Sequence, residues 1–365
     1  MVVKTPHWHR ARSTVGALAV VAALVLVACG PRTGAPAAER GQNLADFYSG
    51  KTVTIIVGYA PGGGFDTTAR LAAKHLGKHI PGNPNIIVEN MPGAGSLTAT
   101  NHLYNVARPD GLTIGVFNEL QVVNQVINVE GVQFDARQMG WLGNAVQSPI
   151  TCTIRADSPY NTAEDLLRRD LPPLILGGTA PGAETDNFPK LMSSVIGANV
   201  RLVSGYGGTS EIRLAVESRE VDGMCWSYTS VTSTAANWMD TNFIKVPVYQ
   251  WTEPDPKVQQ RFPTAKRLEE MVNDEASRAL IRAATATSKI SKPFAVPPRL
   301  PADRLKALQD AFDATMKDPE FLAEAEQARL DVLPNQAIET IRVINEILAL
   351  PADVAGKLAE IIKQG

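Results

Sequence analysis

The sequence contains few of the side chains on which enzyme catalysis most often depends. Only five of its 365 residues are histidines and three are cysteines, although histidine is the commonest general acid or base and both residues are common zinc ligands. His75 and His79 have the spacing of zinc ligands on a helix, but they lack the glutamate of an H-E-x-x-H motif and have lysines beside them. A solvated helix face is the better interpretation, so we expect neither a metal site nor an enzyme.

Motifs for nucleotide binding and acyl transfer are also missing. None of the glycine-rich loops ends in the Gly-Lys-Ser/Thr of a P-loop, and no G-x-S-x-G elbow occurs. The stretch "GYAPGGGFD" loosely resembles a dinucleotide-binding loop, but its glycines do not have the G-x-G-x-x-G spacing. A dinucleotide-dependent enzyme is therefore only an alternative, and we expect no cofactor.

The chain has neither a large charge excess nor an apolar run long enough to span a membrane. Its formal net charge of −2 gives no reason to expect nucleic acid or an anionic membrane surface as a partner. The fourteen small or apolar residues at 15–28 are fewer than the ~20 residues that a transmembrane helix needs. Their number is typical of the apolar core of a secretory signal.

The N-terminal segment has the features of a bacterial lipoprotein leader in the expected order. Lys4, Arg10 and Arg12 precede the apolar run, which ends in "LVAC" at Cys29. We expect residues 1–28 to be a signal peptide, Cys29 to be lipidated, and residues 29–43 to be a flexible tether, because their Gly, Pro and Ala cannot form a core. Plain secretion with cleavage nearby and an uncleaved anchor are the alternatives.

The rest of the chain is long enough for two globular domains, with 44% hydrophobic and 20% charged residues. Four of its segments share one pattern of strand, glycine-rich loop and helix. The segments are "VTIIVGYAPGGGFDTTAR", "IIVENMPGAGSLTATNHLYNV", "LILGGTAPGAETDNFPKLMSSVIG" and "VRLVSGYGGTSEIRLAVESREVDG". Strands that alternate with helices predict parallel sheets covered on both faces.

The four loops are predicted to bind an anion. The first amides of a helix are unpaired and carry partial positive charge, and glycine allows a ligand to approach the backbone closely. Ligands of open parallel sheets lie beyond the carboxyl ends of the strands, where these loops are. The expected N-caps are Asp66, Ser96, Asp186, and Thr209 or Ser210. The Asp66 carboxylate is expected to turn into its helix and leave the upstream glycine amides free.

These motifs resemble the substrate-binding receptors of tripartite tricarboxylate transporters, the Bug (TctC-like) family of periplasmic binding proteins. The resemblance rests on "YAPGGGFDTTAR", "IIVENMPGAGS", "RPDGLTIGVF", "GYGGTSEIRLAVESREVDG", "KPFAVPPRLPADRLKAL" and "MKDPEFLAEA", which stand in the family's order from about Val53 almost to the C-terminus. Met91 occupies a position where the family more often has Arg. The lipobox is also a departure, since many relatives have an ordinary signal peptide.

The resemblance implies a two-lobed α/β fold of the periplasmic-binding-protein type (type II), with a mostly parallel sheet in each lobe and crossing strands between them. It implies one discontinuous domain of residues 44–146 plus 292–365, with the C-terminal helices packed on its sheet, and a second domain of residues 147–291. The two lobes would close on a small organic carboxylate and deliver it to membrane permease subunits. A solute sensor that signals to a membrane partner would use the same site and is an alternative.

The resemblance also implies the residues that bind the ligand. In the family, a ligand carboxylate is held by backbone amides of two glycine loops in the first domain, and the second domain contacts the other end. The first-domain candidates are Tyr59, Gly62, Gly63, Gly64, Phe65, Asp66, Gly93, Ala94, Gly95, Ser96 and Asn118. The second-domain candidates are Thr179, Gly182, Asp186 and Tyr206.

Cys152 and Cys225 both lie in strand-like runs, "ITCTI" and "GMCWS". Neighbouring strands could bring their sulfurs within bonding distance, and an exported protein can keep a disulfide. The sequence leaves two interpretations open, a disulfide or two buried thiols.

Overall fold

A computed structural model describes residues 43–363 of the chain. The predicted signal peptide, Cys29 and all but the last residue of the predicted tether lie outside the described residues. Among residues 43–363, no helix is both long and apolar enough to cross a membrane.

The described chain alternates strands and helices. The strands are β1 Thr52–Val57, β2 Asn85–Asn90, β3 Thr113–Val116, β4 Gly140–Asn144, β5 Ile150–Arg155, β6 Leu174–Gly178, β7 Val200–Ser204, β8 Gly223–Ser227, β9 Ile244–Lys245, β10 Val248–Gln250, β11 Lys266–Arg267, β12 Pro293–Val296 and β13 Asn335–Gln336. The helices are α1 Leu44–Tyr48, α2 Gly64–Leu76, α3 Leu97–Asn105, α4 Gln121–Val126, α5 Glu184–Ile196, α6 Thr209–Glu217, α7 Tyr228–Thr234, α8 Ala236–Asp240, α9 Pro256–Arg261, α10 Glu275–Thr285, α11 Ala302–Thr315, α12 Pro319–Gln327, α13 Ala337–Leu348 and α14 Ala352–Lys363.

The strands form two sheets. The first sheet has the order β13-β4-β12-β3-β1-β2, and the second has the order β11-β10-β5-β8-β6-β7, with β9 paired to β5. All four predicted strand–loop–helix segments are confirmed, as β1–α2, β2–α3, β6–α5 and β7–α6. The four strands that precede the glycine loops pair in parallel within each sheet, so their loops lie at the same edge.

The chain crosses between the sheets twice. It leaves the first sheet after Asn144 and enters the second at Ile150, then returns between Arg267 and Pro293. On its return, β12 inserts antiparallel between β3 and β4. The division into domains at residues 146 and 292 stays a prediction, but the strands change sheet within these two connections.

The helices cover the sheets with the faces that their spacing predicts. In α2, Ala69 and Leu76 are buried, and in α11 Phe312 is buried. The solvated helix face expected for His75 is wrong, because this side chain is 5% exposed and packs edge-on against Phe321 of α12. Helices α11 and α13 pack against β4 of the first sheet, as expected. The last helix differs from this expectation, since α14 packs against α5 and α10 beside the second sheet. The apolar face of α14 belongs to the same core as α5, which accounts for its position.

Cys152 and Cys225 are joined by a disulfide bond. They lie directly opposite each other on the antiparallel strands β5 and β8, so strand pairing brings the two sulfurs together. Of the two interpretations that the sequence left open, the structure has the disulfide.

Candidate functional site

The loop between β1 and α2 differs from its prediction in how Asp66 is used. The N-cap of α2 is Gly63, and Asp66 is the third residue of the helix. The Asp66 carboxylate turns back and accepts a hydrogen bond from the Gly62 amide at 2.9 Å, as well as bonds from Arg70 and Asn90. Burial alone would raise the pKa of Asp66, but these hydrogen bonds bring it below the ordinary value. The Gly62 amide is therefore not free for a ligand.

Two loops of the second sheet use the same arrangement. The Gly207 amide donates to the Glu211 carboxylate at 2.8 Å, and the Gly182 amide donates to the Asn187 side-chain oxygen at 3.0 Å. In each case a polar side chain in the first helical turn accepts a hydrogen bond from the loop before it. These bonds hold the loops rigid and occupy amides that the sequence had suggested for a ligand.

The other predicted N-caps also differ in the structure. The N-cap of α5 is Ala183 and that of α6 is Gly208, so the predicted caps Asp186 and Thr209 or Ser210 are wrong. Ser96 does precede α3, but its side chain makes no capping bond. Its hydroxyl instead accepts a hydrogen bond from the Asn118 amide at 2.9 Å.

The first turn of α2 keeps its amides unpaired. Among residues 43–363, the amides of Gly63, Gly64 and Phe65 donate no hydrogen bond to another protein group. A helix start normally leaves such donors for a side chain, water or a ligand. Gly63 has φ −87° and ψ 173°, which any residue can adopt, so its lack of a side chain matters for space rather than for backbone conformation.

The second loop of the first sheet is strained and held in place by polar side chains. Ala94 has φ 47° and Ser96 has φ 76°, and a non-glycine residue in the left-handed region costs ~1–3 kcal/mol. Asn118 donates to the Tyr59 hydroxyl at 2.8 Å, and that hydroxyl donates to the Gly95 carbonyl at 3.4 Å. The polar network fixes a loop that would otherwise relax.

Loops of the two sheets face each other directly. The Ala60 amide donates to the Gly207 carbonyl at 3.1 Å, and the Ser210 hydroxyl donates to the Pro61 carbonyl at 2.9 Å. Between them is a cavity of ≈ 10 Å³, about enough for one water molecule. It is lined by Tyr59, Gly63, Gly64, Phe65, Thr179, Glu184, Thr185 and Thr209. The two lobes are therefore closed on each other, and a larger ligand requires them to separate.

The structure places only some of the predicted residues at this cavity. Tyr59, Gly63, Gly64, Phe65 and Thr179 line it. Gly62, Asp66, Asn118 and the loop formed by Gly93, Ala94, Gly95 and Ser96 surround these residues and position them. A side chain at Gly95 would meet Ala183 of the facing loop at 3.0 Å, so the second loop also lies against the other lobe.

Three second-lobe candidates make other contacts. The Asp186 carboxylate accepts from the Ser204 hydroxyl at 2.7 Å and lines a separate crevice along α5. The Tyr206 hydroxyl donates to Glu220 at 2.6 Å. Gly182 approaches Asn124, which donates to the Gly182 carbonyl at 3.2 Å. A ligand role for these three residues stays a prediction.

Three buried charged residues next to the cavity were missed by the sequence analysis. Glu119, Glu184 and Lys292 are at most 5% exposed. The Lys292 ammonium donates to the Ser227 and Thr229 hydroxyls at 3.0 Å and lies 5.5 Å from the centre of the Phe65 ring. Only Glu184 had a signal in the sequence, since an acidic residue directly follows the glycine loop "TAPGA".

Burial is the largest cause of the pKa shifts of Glu119, Glu184 and Lys292. Burial and then the Glu119 charge raise the pKa of Glu184 to about 8, although the Lys292 charge opposes the rise. Burial also raises the pKa of Glu119 and lowers the pKa of Lys292. The group contains two acidic side chains and one basic side chain, so one acid has no basic partner.

Comparisons with known proteins agree with this architecture. The chain is 28% identical over 192 residues to the UPF0065 protein in the TAR-I ttuE-ttuC' intergenic region of Agrobacterium vitis, a match that spans 52% of this chain and about half (54%) of that relative. Its fold is similar to that of the periplasmic binding protein BugD, with a TM-score of 0.68 and 20% identity over 87% of this chain and 98% of BugD. It is also similar to MatC from Rhodopseudomonas palustris with bound malate, with a TM-score of 0.66 and 18% identity over 86% of this chain and 99% of MatC. A family model described as "Tripartite tricarboxylate transporter family receptor" matches residues 68–358, and the chain belongs to that family.

Proposed function

We propose that this protein is an extracytoplasmic receptor that binds a small carboxylate between its two lobes and delivers it to the membrane permease of a tripartite transporter. The observation that carries the proposal is the set of unpaired amides at Gly63, Gly64 and Phe65, three residues that line the cavity between the lobes. Membership of the receptor family supports it, as does the bound malate of the similar MatC structure.

The amides provide an anion site without a basic side chain. One helix N-terminus contributes ~0.3–1 kcal/mol, so a carboxylate needs several donors together with exclusion of water. Separation of the lobes would admit the ligand, and closure would bring Thr179 and Thr209 against it. A ligand that binds better to the closed form shifts the protein towards that form, which the permease would then recognise.

The N-terminal sequence supports a membrane-anchored receptor. In this proposal, residues 1–28 are removed, lipid on Cys29 anchors the protein, and residues 29–43 hold the lobes away from the membrane surface. Metabolic labelling with palmitate should mark the wild-type protein and leave a Cys29→Ser variant unlabelled. Labelling of both proteins, or of neither, would contradict the anchor.

A thermal-shift screen with small carboxylates tests the binding function. A ligand specific for the folded protein raises its melting temperature by mass action, and the alcohol or amide that lacks the carboxylate should have a smaller effect. Calorimetry should then give one site per chain. If no small carboxylate stabilises the protein, or if the neutral analogues stabilise it equally, the amides are not an anion site.

A further inference from the structure

Glu184 is a buried carboxylate whose hydrogen-bonding capacity is mostly unused. It is the first residue of α5, it is 5% exposed, and it lines the cavity opposite the unpaired amides of α2. Among the described residues its one hydrogen bond is a long one, from the Ser227 amide at 3.4 Å. An ionised carboxylate can accept about four hydrogen bonds, and a buried carboxylate without partners is costly.

The neighbouring basic residue does not pair directly with Glu184. The Lys292 ammonium is bonded to two hydroxyls, and among residues 43–363 no carboxylate oxygen lies within 4.0 Å of it. Glu119, the other acid, accepts a hydrogen bond from the Lys292 backbone amide at 3.3 Å. One positive charge therefore faces two carboxylates, and among residues 43–363 each of them accepts one long hydrogen bond.

The cavity thus has two chemically different ends. The first-lobe end offers backbone donors at Gly63 and Gly64. Among residues 43–363 the second-lobe end also has unpaired amides, at Glu184 and Thr185, but it adds the buried Glu184 carboxylate, which can accept hydrogen bonds. We propose that Glu184 selects ligands that carry an ammonium group at the end opposite their carboxylate, so that the receptor takes small amino acids in preference to dicarboxylates. This inference rests on the proposed function, since the carboxylate end must lie at the glycine loop.

A second carboxylate at the same end would be disfavoured. It could remain there only while Glu184 keeps its proton, because two ionised carboxylates repel strongly in surroundings that exclude water. An ammonium group would instead supply the donors that Glu184 lacks. Hydrogen bonds to a charged group are worth enough to change affinity roughly tenfold or more.

The raised pKa of Glu184 predicts a proton signal on binding. The titratable groups whose charges act on this carboxylate are Glu119 and Lys292, and the hydroxyl of Tyr59 lies near it. At pH 7 the empty site holds Glu184 mostly protonated, because its pKa is about 8. An ammonium ligand favours the ionised form, so its binding should release protons.

Matched ligands and variants of the full chain test the inference by calorimetry. The ammonium probes are L-alanine, β-alanine and 4-aminobutyrate, and the acid probes are propanoate, succinate and glutarate. Wild-type protein should bind at least one ammonium probe roughly tenfold more tightly than every acid probe. Glu184→Gln should remove that preference, whereas the control Glu360→Gln, which changes an exposed acid of α14 outside the cavity lining, should keep it.

Each outcome is decisive. Tighter binding of succinate or glutarate by wild-type protein would overturn the ammonium preference and leave the carboxylate receptor intact. An unchanged preference in Glu184→Gln would remove Glu184 from the selection. Failure of all six probes to bind would contradict the glycine-loop site itself and so the proposed function. If Glu184→Gln does not fold, calorimetry of the wild-type protein still decides, because the relative affinities of the ammonium and acid probes are measured without the variant.

Discussion

Replacing Gly64 by alanine should hold the two lobes apart. Gly64 is the first residue of α2, and it packs against α7, which follows directly from β8 of the second sheet. A Cβ atom on Gly64 would lie 2.7 Å from the Ser230 Cβ and 3.3 Å from the Ser230 Cα. The first of these distances is too short for two carbon atoms, and the Cα cannot rotate away. The closed form must therefore open slightly or strain its backbone, while an open form is unaffected.

The expected size of the effect follows from the cost of overpacking. An extra methyl group in a well-packed site costs ~1–3 kcal/mol. If only the closed form bears that cost, the population that can hold ligand falls, and the apparent affinity should fall ~5- to 150-fold. The free energy of unfolding should be unchanged or slightly higher, because alanine is a better helix residue than glycine by ~1 kcal/mol.

Calorimetry with the tightest carboxylate from the screen, combined with urea denaturation, separates these effects. The matched control is Gly356→Ala in α14, where no other atom lies within 4 Å of the new Cβ, and its affinity should equal that of wild-type protein. Adding Ser230→Gly to the Gly64→Ala variant removes the clashing atoms and should restore most of the lost affinity. Wild-type affinity in Gly64→Ala itself would refute the closure geometry.

Two further predictions concern stability and are both read from urea denaturation. The disulfide closes a loop with a sequence separation of 73 residues, so the double variant Cys152→Ala/Cys225→Ala should lose ~4 kcal/mol of unfolding free energy. An equal loss when reductant is added to the wild-type protein would support this prediction. No loss in either experiment would contradict it. Burial raises the pKa of Asp186 to about 6, so the folded state binds the proton of this carboxyl more tightly than the unfolded state does. The stability that this proton contributes is present below about pH 4 and is lost as the pH rises through 6. Asp186→Asn should flatten that slope and be ~2–3 kcal/mol more stable than wild-type protein at pH 7; a variant that keeps the wild-type pH profile would show that another group causes it.

The sequence predicted the architecture of the site better than its hydrogen bonds. The strand–loop–helix pattern depends on local residue types, and all four segments fold as expected. Helix starts were placed about three residues too late at Asp66 and Asp186, because an acidic residue in the first turn has the same sequence signal as an N-cap. Because of this shift, the Asp66 carboxylate accepts a hydrogen bond from the loop amide of Gly62 instead of capping the helix. The free amides are therefore those of the first helical turn and not that of Gly62.

The buried charges show where local reasoning fails. Glu119, Glu184 and Lys292 come from three distant parts of the chain, and they meet only because the lobes close and the chain crosses back before β12. No periodicity in the sequence indicates that these three residues come together. Lys292 has φ 56° and is fully buried, although lysine is almost never fully buried.

The loop amides that are already hydrogen-bonded and the buried side chain of Glu184 together limit the kinds of ligand that this site can bind. Side chains of the chain itself already satisfy the amides of Gly62, Gly182 and Gly207, so the four similar loops are not four similar anion sites. Among residues 43–363, the start of α2 combines free donors with a position on the cavity, and so do the first amides of α5 at Glu184 and Thr185. Glu184 adds a buried acid to the second-lobe side of that cavity, and an ammonium group at that end of a ligand would supply the donors that this acid lacks. The selectivity of the receptor among ligands should therefore depend on the second lobe, whereas the first lobe binds the ligand carboxylate.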